Sequence, residues 1–187
     1  MKHPCLFFIA SLLSFSTFAQ LKSITPLKTA FSQSVSAILR DFPDNLRNVS
    51  GELVLSQGEI DNYECKVKIP GAEDCSVTRY HSEEDTTASW QARMYHHENF
   101  KTASARYREL YKQLKGCYLQ TVDGTLLYVQ GEWEEPDEDK AFASSILRVI
   151  TGDMRYKDVR IELEMHYELP EWVIGISIAS KRKDTLD

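Results

Sequence analysis

Apolar positions along this chain fall into two helical stripes separated by runs of alternation, an order that predicts helix, strands, helix, strands. Thr25 followed by Pro26 reads as a helix start, because a missing amide hydrogen costs nothing in a first turn. Leu27, Phe31, Val35, Ile38 and Phe42 recur at spacings of three or four. They mark one face of a helix running to about Asp41 and stopped by Pro43. Strand candidates follow near residues 51–56, 62–69, 75–82 and 87–97, divided by Gly-, Asp- and Pro-bearing turns short enough to imply antiparallel pairing. In the last of these, Ala88, Trp90, Ala92 and Met94 alternate with Ser89, Gln91, Arg93 and Tyr95, so one sheet face is buried and the other wet.

A second helix is predicted from Asn99, with Phe100, Ala103, Tyr107, Leu110, Tyr111 and Leu114 as its apolar stripe and Gly116 placed for a left-handed cap. Asp123-Gly124 then marks a hairpin. Phe142, Ile146, Val149 and Ile150 fit a helical stripe, but the β-branched content and the length favour a strand over 142–150. From 159 to 167 the alternation is cleanest: Val159, Ile161, Leu163, Met165 and Tyr167 face one way, and Arg160, Glu162, Glu164 and His166 the other. Leu169-Pro170-Glu171 turns the chain into a last apolar strand, Trp172 to Ser180, before a polar tail from about residue 181.

The absence of an internal repeat, a low-complexity tract or a linker predicts one domain. The expected class is α+β in two layers: a mostly antiparallel sheet of about seven or eight strands, with two main helices packed on one face. This element order resembles the cystatin-type arrangement and, with the second helix, is similar to the secretion-chaperone type. The resemblance is one of topology without a residue motif, and it implies no function.

Residues 1–19 have the form of a secretory signal peptide: Lys2, an apolar stretch from Leu6 to Leu13, then Thr17-Phe18-Ala19 before Gln20. That stretch is too short to cross a bilayer, which takes about 20 residues, and no later segment reaches transmembrane length. Cys5 precedes the apolar stretch, so a lipoprotein anchor is not expected. The expectation is a single secreted or periplasmic domain over 20–187 with no integral membrane segment. Apolar residues at 42% and charged residues at 27% favour a folded globule over a disordered chain. With 22 basic against 28 acidic residues, binding to nucleic acid through phosphate neutralisation is disfavoured.

In an oxidising compartment Cys65, Cys75 and Cys117 permit one bridge. Cys75 opens a strand and Cys117 follows a helix end, so Cys75 to Cys117 is the expected pairing, with Cys65 to Cys75 next. Cysteine and histidine spacings do not suit zinc, and no cofactor is expected. The sequence contains no phosphate-binding loop, dinucleotide fingerprint, nucleophile elbow, metalloprotease helix or EF-hand loop.

His96-His97 sits at a strand end where neighbouring side chains point to opposite faces, so the pair is not expected to ligate one metal. The acidic run Glu132 to Asp139 and the basic face of the second helix, Lys101, Arg106, Arg108, Lys112 and Lys115, both read as solvated surfaces. Asn48-Val49-Ser50 matches a glycosylation acceptor. The feature least like ordinary surface is Tyr80, Gln91, Arg93 and Tyr95, expected together on the wet sheet face, because exposed Tyr and Arg are types that interfaces favour. These observations point to a non-enzymatic binding domain that uses a sheet face or edge for a protein or peptide partner. The alternative is a small envelope hydrolase with a dispersed His and carboxylate site.

Overall fold

Thr29 opens the first helix. Its side chain accepts from the Ser32 amide at 3.1 Å, and α1 runs Ala30–Arg40 with Asp41 as its C-cap. The computed structural model describes residues 28–82, 86–122 and 124–180. The leader, the Thr25-Pro26 start, Leu27, most of the turn at 83–86, Asp123 and the tail from 181 lie outside the described residues. Phe31, Val35 and Ile38 are buried as the stripe requires, Phe42 is partly buried, and Leu39, outside the stripe, is buried beside them. A 3-10 turn, Phe42–Asp44, replaces the abrupt stop expected at Pro43. Behind it the buried Asp41 carboxylate accepts from the Asn48 amide at 2.8 Å and the Val49 amide at 3.0 Å, and also from the Asn48 side chain.

The strands are β1 Ser50–Gln57, β2 Ile60–Cys65, β3 Asp74–Tyr80 and β4 Ala88–His97. Helix α2, Phe100–Lys115, is capped by the Asn99 side chain, which accepts from the Thr102 amide at 3.0 Å. Then come β5 Tyr118–Gln120, β6 Leu126–Gly131, β7 Phe142–Val149, β8 Val159–Glu168 and β9 Glu171–Ser180. The predicted second strand ends early, because the chain after Cys65 leaves the ladder and crosses Trp90, whose Nε1 donates to the Val67 carbonyl at 3.2 Å. Gly116 closes α2 without a left-handed turn, at φ −81°, because the chain continues directly toward β5.

One sheet of nine strands, in the order β1-β2-β3-β4-β9-β8-β7-β6-β5, carries both helices on one side. Every neighbouring pair is antiparallel. The strand number exceeds the seven or eight expected; the class and the layering match. Each half is a helix followed by an antiparallel meander, and the halves join where β4 pairs with β9. The repetition lies in topology alone, so residue patterns did not reveal it.

Helix α2 lies across β4, β9, β8, β7 and β6, and α1 packs on α2 and β5. Between the layers Trp90, Met94, Tyr107, Leu110, Leu114, Leu147 and Ile161 are fully buried. Gly131 lets β6 approach β7 closely: a Cβ there would stand 2.2 Å from the Ile146 carbonyl oxygen. Among the described residues no helix is long and apolar enough to cross a membrane.

Candidate functional site

Because both helices cover one side, the other side of the sheet is open, and antiparallel register aligns its side chains in rows. One row crosses Asp74, Arg93, Gly175, Glu164 and Ser144 on β3, β4, β9, β8 and β7. The next holds Ser76, Gln91, Ser177, Glu162 and Ile146. A third, toward the end of β4, holds His96, Val173, His166 and Phe142.

Between these rows lies an open depression of about 360 Å³ bounded by Asp74, Gln91, Arg93, Glu164, His166 and Gly175, among others. Gly175 forms its floor: lacking a side chain, it leaves the space between Arg93 and Glu164 empty, while Val173 and Ser177 flank it on β9. One wall is cationic. Arg93 Nε meets Asp74 at 3.9 Å, a long contact between two exposed groups.

The opposite wall is acidic. Burial and the neighbouring Glu162 carboxylate raise the pKa of Glu164 above its ordinary value. Glu162 is itself held by Arg160 and by the Ser144 hydroxyl, which donates to Oε1 at 2.6 Å. Glu164 is therefore the less committed of the two acids, facing a cation across a glycine floor.

The structure brings Gln91 and Arg93 into this depression and leaves Tyr80 and Tyr95 out of it. Tyr80 shares the open face but stands four residues along β3 from Ser76, the partner of Gln91. That is about 13 Å at about 3.3 Å per residue. Tyr95 is a correction of a different kind. A bulge between Arg93 and Tyr95 shifts the register by one, so Tyr95 pairs with the fully buried Ile174 and turns to the helix side. There it packs on the core and stacks on His97, with ring centroids 6.1 Å apart.

After the bulge His96 emerges on the open face and His97 on the other, as adjacent strand residues must. His96 Nδ1 lies 2.9 Å from Glu73 and Nε2 lies 3.9 Å from Glu171. The hydrogen bond to Glu73 and the two carboxylate charges raise its pKa above 6.5.

No family model matches this chain, and neither do any curated protein or solved structure. The candidate site accordingly rests on geometry.

Asp74 reaches Arg93 through the neighbouring β3–β4 pairing, whereas Glu164, His166, Gly175 and Ser177 join Gln91 and Arg93 only because β9 is inserted between β4 and β8. The alternation over 159–167 puts Glu164 and His166 on a polar face, and the small-residue alternation Gly175, Ser177, Ala179 inside an apolar strand is the signal for the rest of β9. The acidic run is less free than its charge suggests. Trp133 packs at a tilt against Tyr107 and edge-on against Tyr111, Glu135 accepts from Arg108 and from Trp133 Nε1, and Glu134 accepts from the Ser144 amide at 3.1 Å. On α2, Arg106 pairs with Glu109 at 2.8 Å. Among the described residues no cluster of His, Cys, Asp and Glu could hold a metal ion.

All three described cysteines carry free thiols, so the expected Cys75 to Cys117 bridge is not formed. Cys117 is buried between α2 and β5, where its Sγ donates to the Gln113 carbonyl at 3.2 Å and burial pushes its pKa up to about 12. Cys75 lies on β3 and faces Cys65.

Proposed function

We propose that this chain is a non-enzymatic binding domain that holds a segment of a protein or peptide partner against its open sheet face. The supporting observation is the depression floored by Gly175 between Arg93 and Glu164. It offers a guanidinium to a carboxylate, a carboxyl group to a cation or an amide, and Gln91 to a peptide group. A depression this open suits a few side chains of a partner better than an enclosed small molecule. Charge of both signs across a short span selects orientation as well as partner. The leader read in residues 1–19 supports a secreted or periplasmic setting for this binding.

A hydrolase is the second reading, favoured by His166 and Glu164, which share one strand face inside the depression. Ser177 also lines it, but stands four residues along β9 from Val173, the partner of His166. The resulting separation of about 13 Å greatly exceeds the roughly 3 Å over which a base activates a hydroxyl nucleophile.

The two readings separate in one experiment. Photoreactive residues placed at Gln91 and, as a control, at Lys112 on α2 are exposed to the native secreted or periplasmic fraction. The binding reading expects a crosslinked polypeptide from position 91 alone, with yield reduced roughly tenfold by Arg93→Ala, the equivalent of about 1.4 kcal/mol. Equal crosslinking from both positions rejects the open face as the working surface. Turnover of ester or peptide substrates that Glu164→Gln or His166→Gln abolishes replaces binding by hydrolysis.

A further inference from the structure

We infer that Cys65 and Cys75 form a cross-strand dithiol that closes to a disulfide when the chain meets a disulfide-bearing oxidant. Register carries the assignment. Strands β2 and β3 pair through Asn62 with Thr78, Tyr63 with Val77 and Glu64 with Ser76, and the next step along both strands sets Cys65 opposite Cys75. Both residues belong to their strands: Cys65 also pairs with Ser50 on β1, and Cys75 with Ala92 on β4. Opposed residues in antiparallel strands have Cα atoms about 4.5–5.5 Å apart, inside the roughly 4.4–6.8 Å that a disulfide spans. The two side chains share the helix-side face, where both pack against the core and interact with each other. Both are half-buried, whereas Cys117 is buried and engaged with Gln113.

One thiolate attacks the oxidant's disulfide, forming a mixed disulfide and releasing one thiol. The second cysteine sulfur then attacks the first, forming the Sγ–Sγ bond and releasing the other thiol. Two cysteine sulfurs are oxidised, two donor sulfurs are reduced, and the two thiol protons leave with the donor. Whichever of the two cysteines attacks first, its neighbour across the strand pair resolves the mixed disulfide.

The bridge would pin the segment Lys66–Asp74 at its base. That segment docks on α1 through Ser34, whose hydroxyl donates to the Lys68 carbonyl at 3.2 Å, and carries the Glu73 that holds His96. The bridge thereby fixes one wall of the open face from behind.

The test is to incubate the full chain with oxidised glutathione, alkylate it under native conditions, and map its peptides without reduction. The expected product links the Cys65 and Cys75 peptides with the loss of two hydrogens, and Cys117 becomes alkylated only after denaturation. Cys65→Ser should leave Cys75 as a stable glutathione adduct, and Cys117→Ser should leave the crosslink intact. A Cys75 to Cys117 linkage as the main product would overturn the assignment. So would separate glutathione adducts persisting on both Cys65 and Cys75 in the unaltered chain.

Discussion

Tyr107 of α2 and Ser145 of β7 share a buried hydroxyl pair, Oη to Oγ 2.9 Å, at the centre of the helix–sheet interface. Tyr107 also reaches the Leu163 carbonyl at 3.1 Å, and Ser145 accepts from the Glu134 amide at 3.0 Å. Every proton has a place if Tyr107 donates to Leu163 and Ser145 donates to Tyr107. Burial raises the pKa of Tyr107 to about 12, which keeps its phenol a donor throughout the useful pH range.

Tyr107→Phe should therefore destabilise the fold by about 1–2 kcal/mol, the cost of leaving buried partners unpaired. Urea denaturation measures this. Ser145→Ala combined with Tyr107→Phe should cost less than the sum of the single changes, because both remove one shared bond. Strict additivity would show that the two hydroxyls do not act together.

The bulge in β4 gives Arg93 and Tyr95 different jobs although they stand two residues apart. Arg93→Ala, on an exposed side chain, should leave the urea midpoint nearly unchanged and weaken partner capture. Tyr95→Ala removes a ring packed on the core and on His97, and should lower stability by about 1–2 kcal/mol without selectively weakening capture. The reverse outcome would place Tyr95 on the open face.

His96 ties the segment before β3 to the start of β9 through Glu73 and Glu171. Its folded pKa is raised, so its stabilising effect is complete below the unfolded value near 6.5 and is lost as pH rises through the folded value. Titration followed by NMR should show the His96 ring changing state above the ordinary histidine range. Glu73→Gln, which removes the leading cause of the shift, should return the midpoint toward 6.5. A His96 midpoint unchanged by Glu73→Gln would mean that the clip is absent in solution.

Local periodicity explains which parts of this architecture were readable. Phe31, Val35 and Ile38, Ala103, Tyr107 and Leu110, and Ile161, Leu163 and Met165 are spaced by the geometry of their own elements, and all are buried as that spacing requires. The joining of β4 to β9 has no local signature, because the pairing of Gln91 with Ser177 spans most of the second half of the chain. Without that pairing, Gln91 and Arg93 could be placed on a wet face but not beside Glu164. The bulge was equally hidden: an unbroken alternation through Tyr95 looks the same whether or not the partner strand slips by one residue. Tyr167 shows a further limit. It keeps the parity of Met165 yet remains exposed at the end of β8, where its ring packs at a tilt against Trp172.

Glu164 connects the stability of the open face to its proposed use. Burial and the Glu162 charge raise its folded pKa, so the protonated form is favoured by folding. The resulting stabilisation is complete below the unfolded carboxyl value, near 4.5, and disappears as pH rises through the folded value. Above that window wild-type Glu164 carries a charge that the fold disfavours. Glu164→Gln, which keeps the shape without the charge, should make the protein more stable than wild type at pH 7 and flatten stability against pH just above 4.5. Thermal melts of both proteins across that range measure the difference. If Glu164 serves as the acidic wall for a cationic group of the partner, the same variant should bind more weakly while melting higher. A variant that melts higher and binds unchanged would confine Glu164 to electrostatic strain within the sheet and move recognition to Arg93 and Gln91.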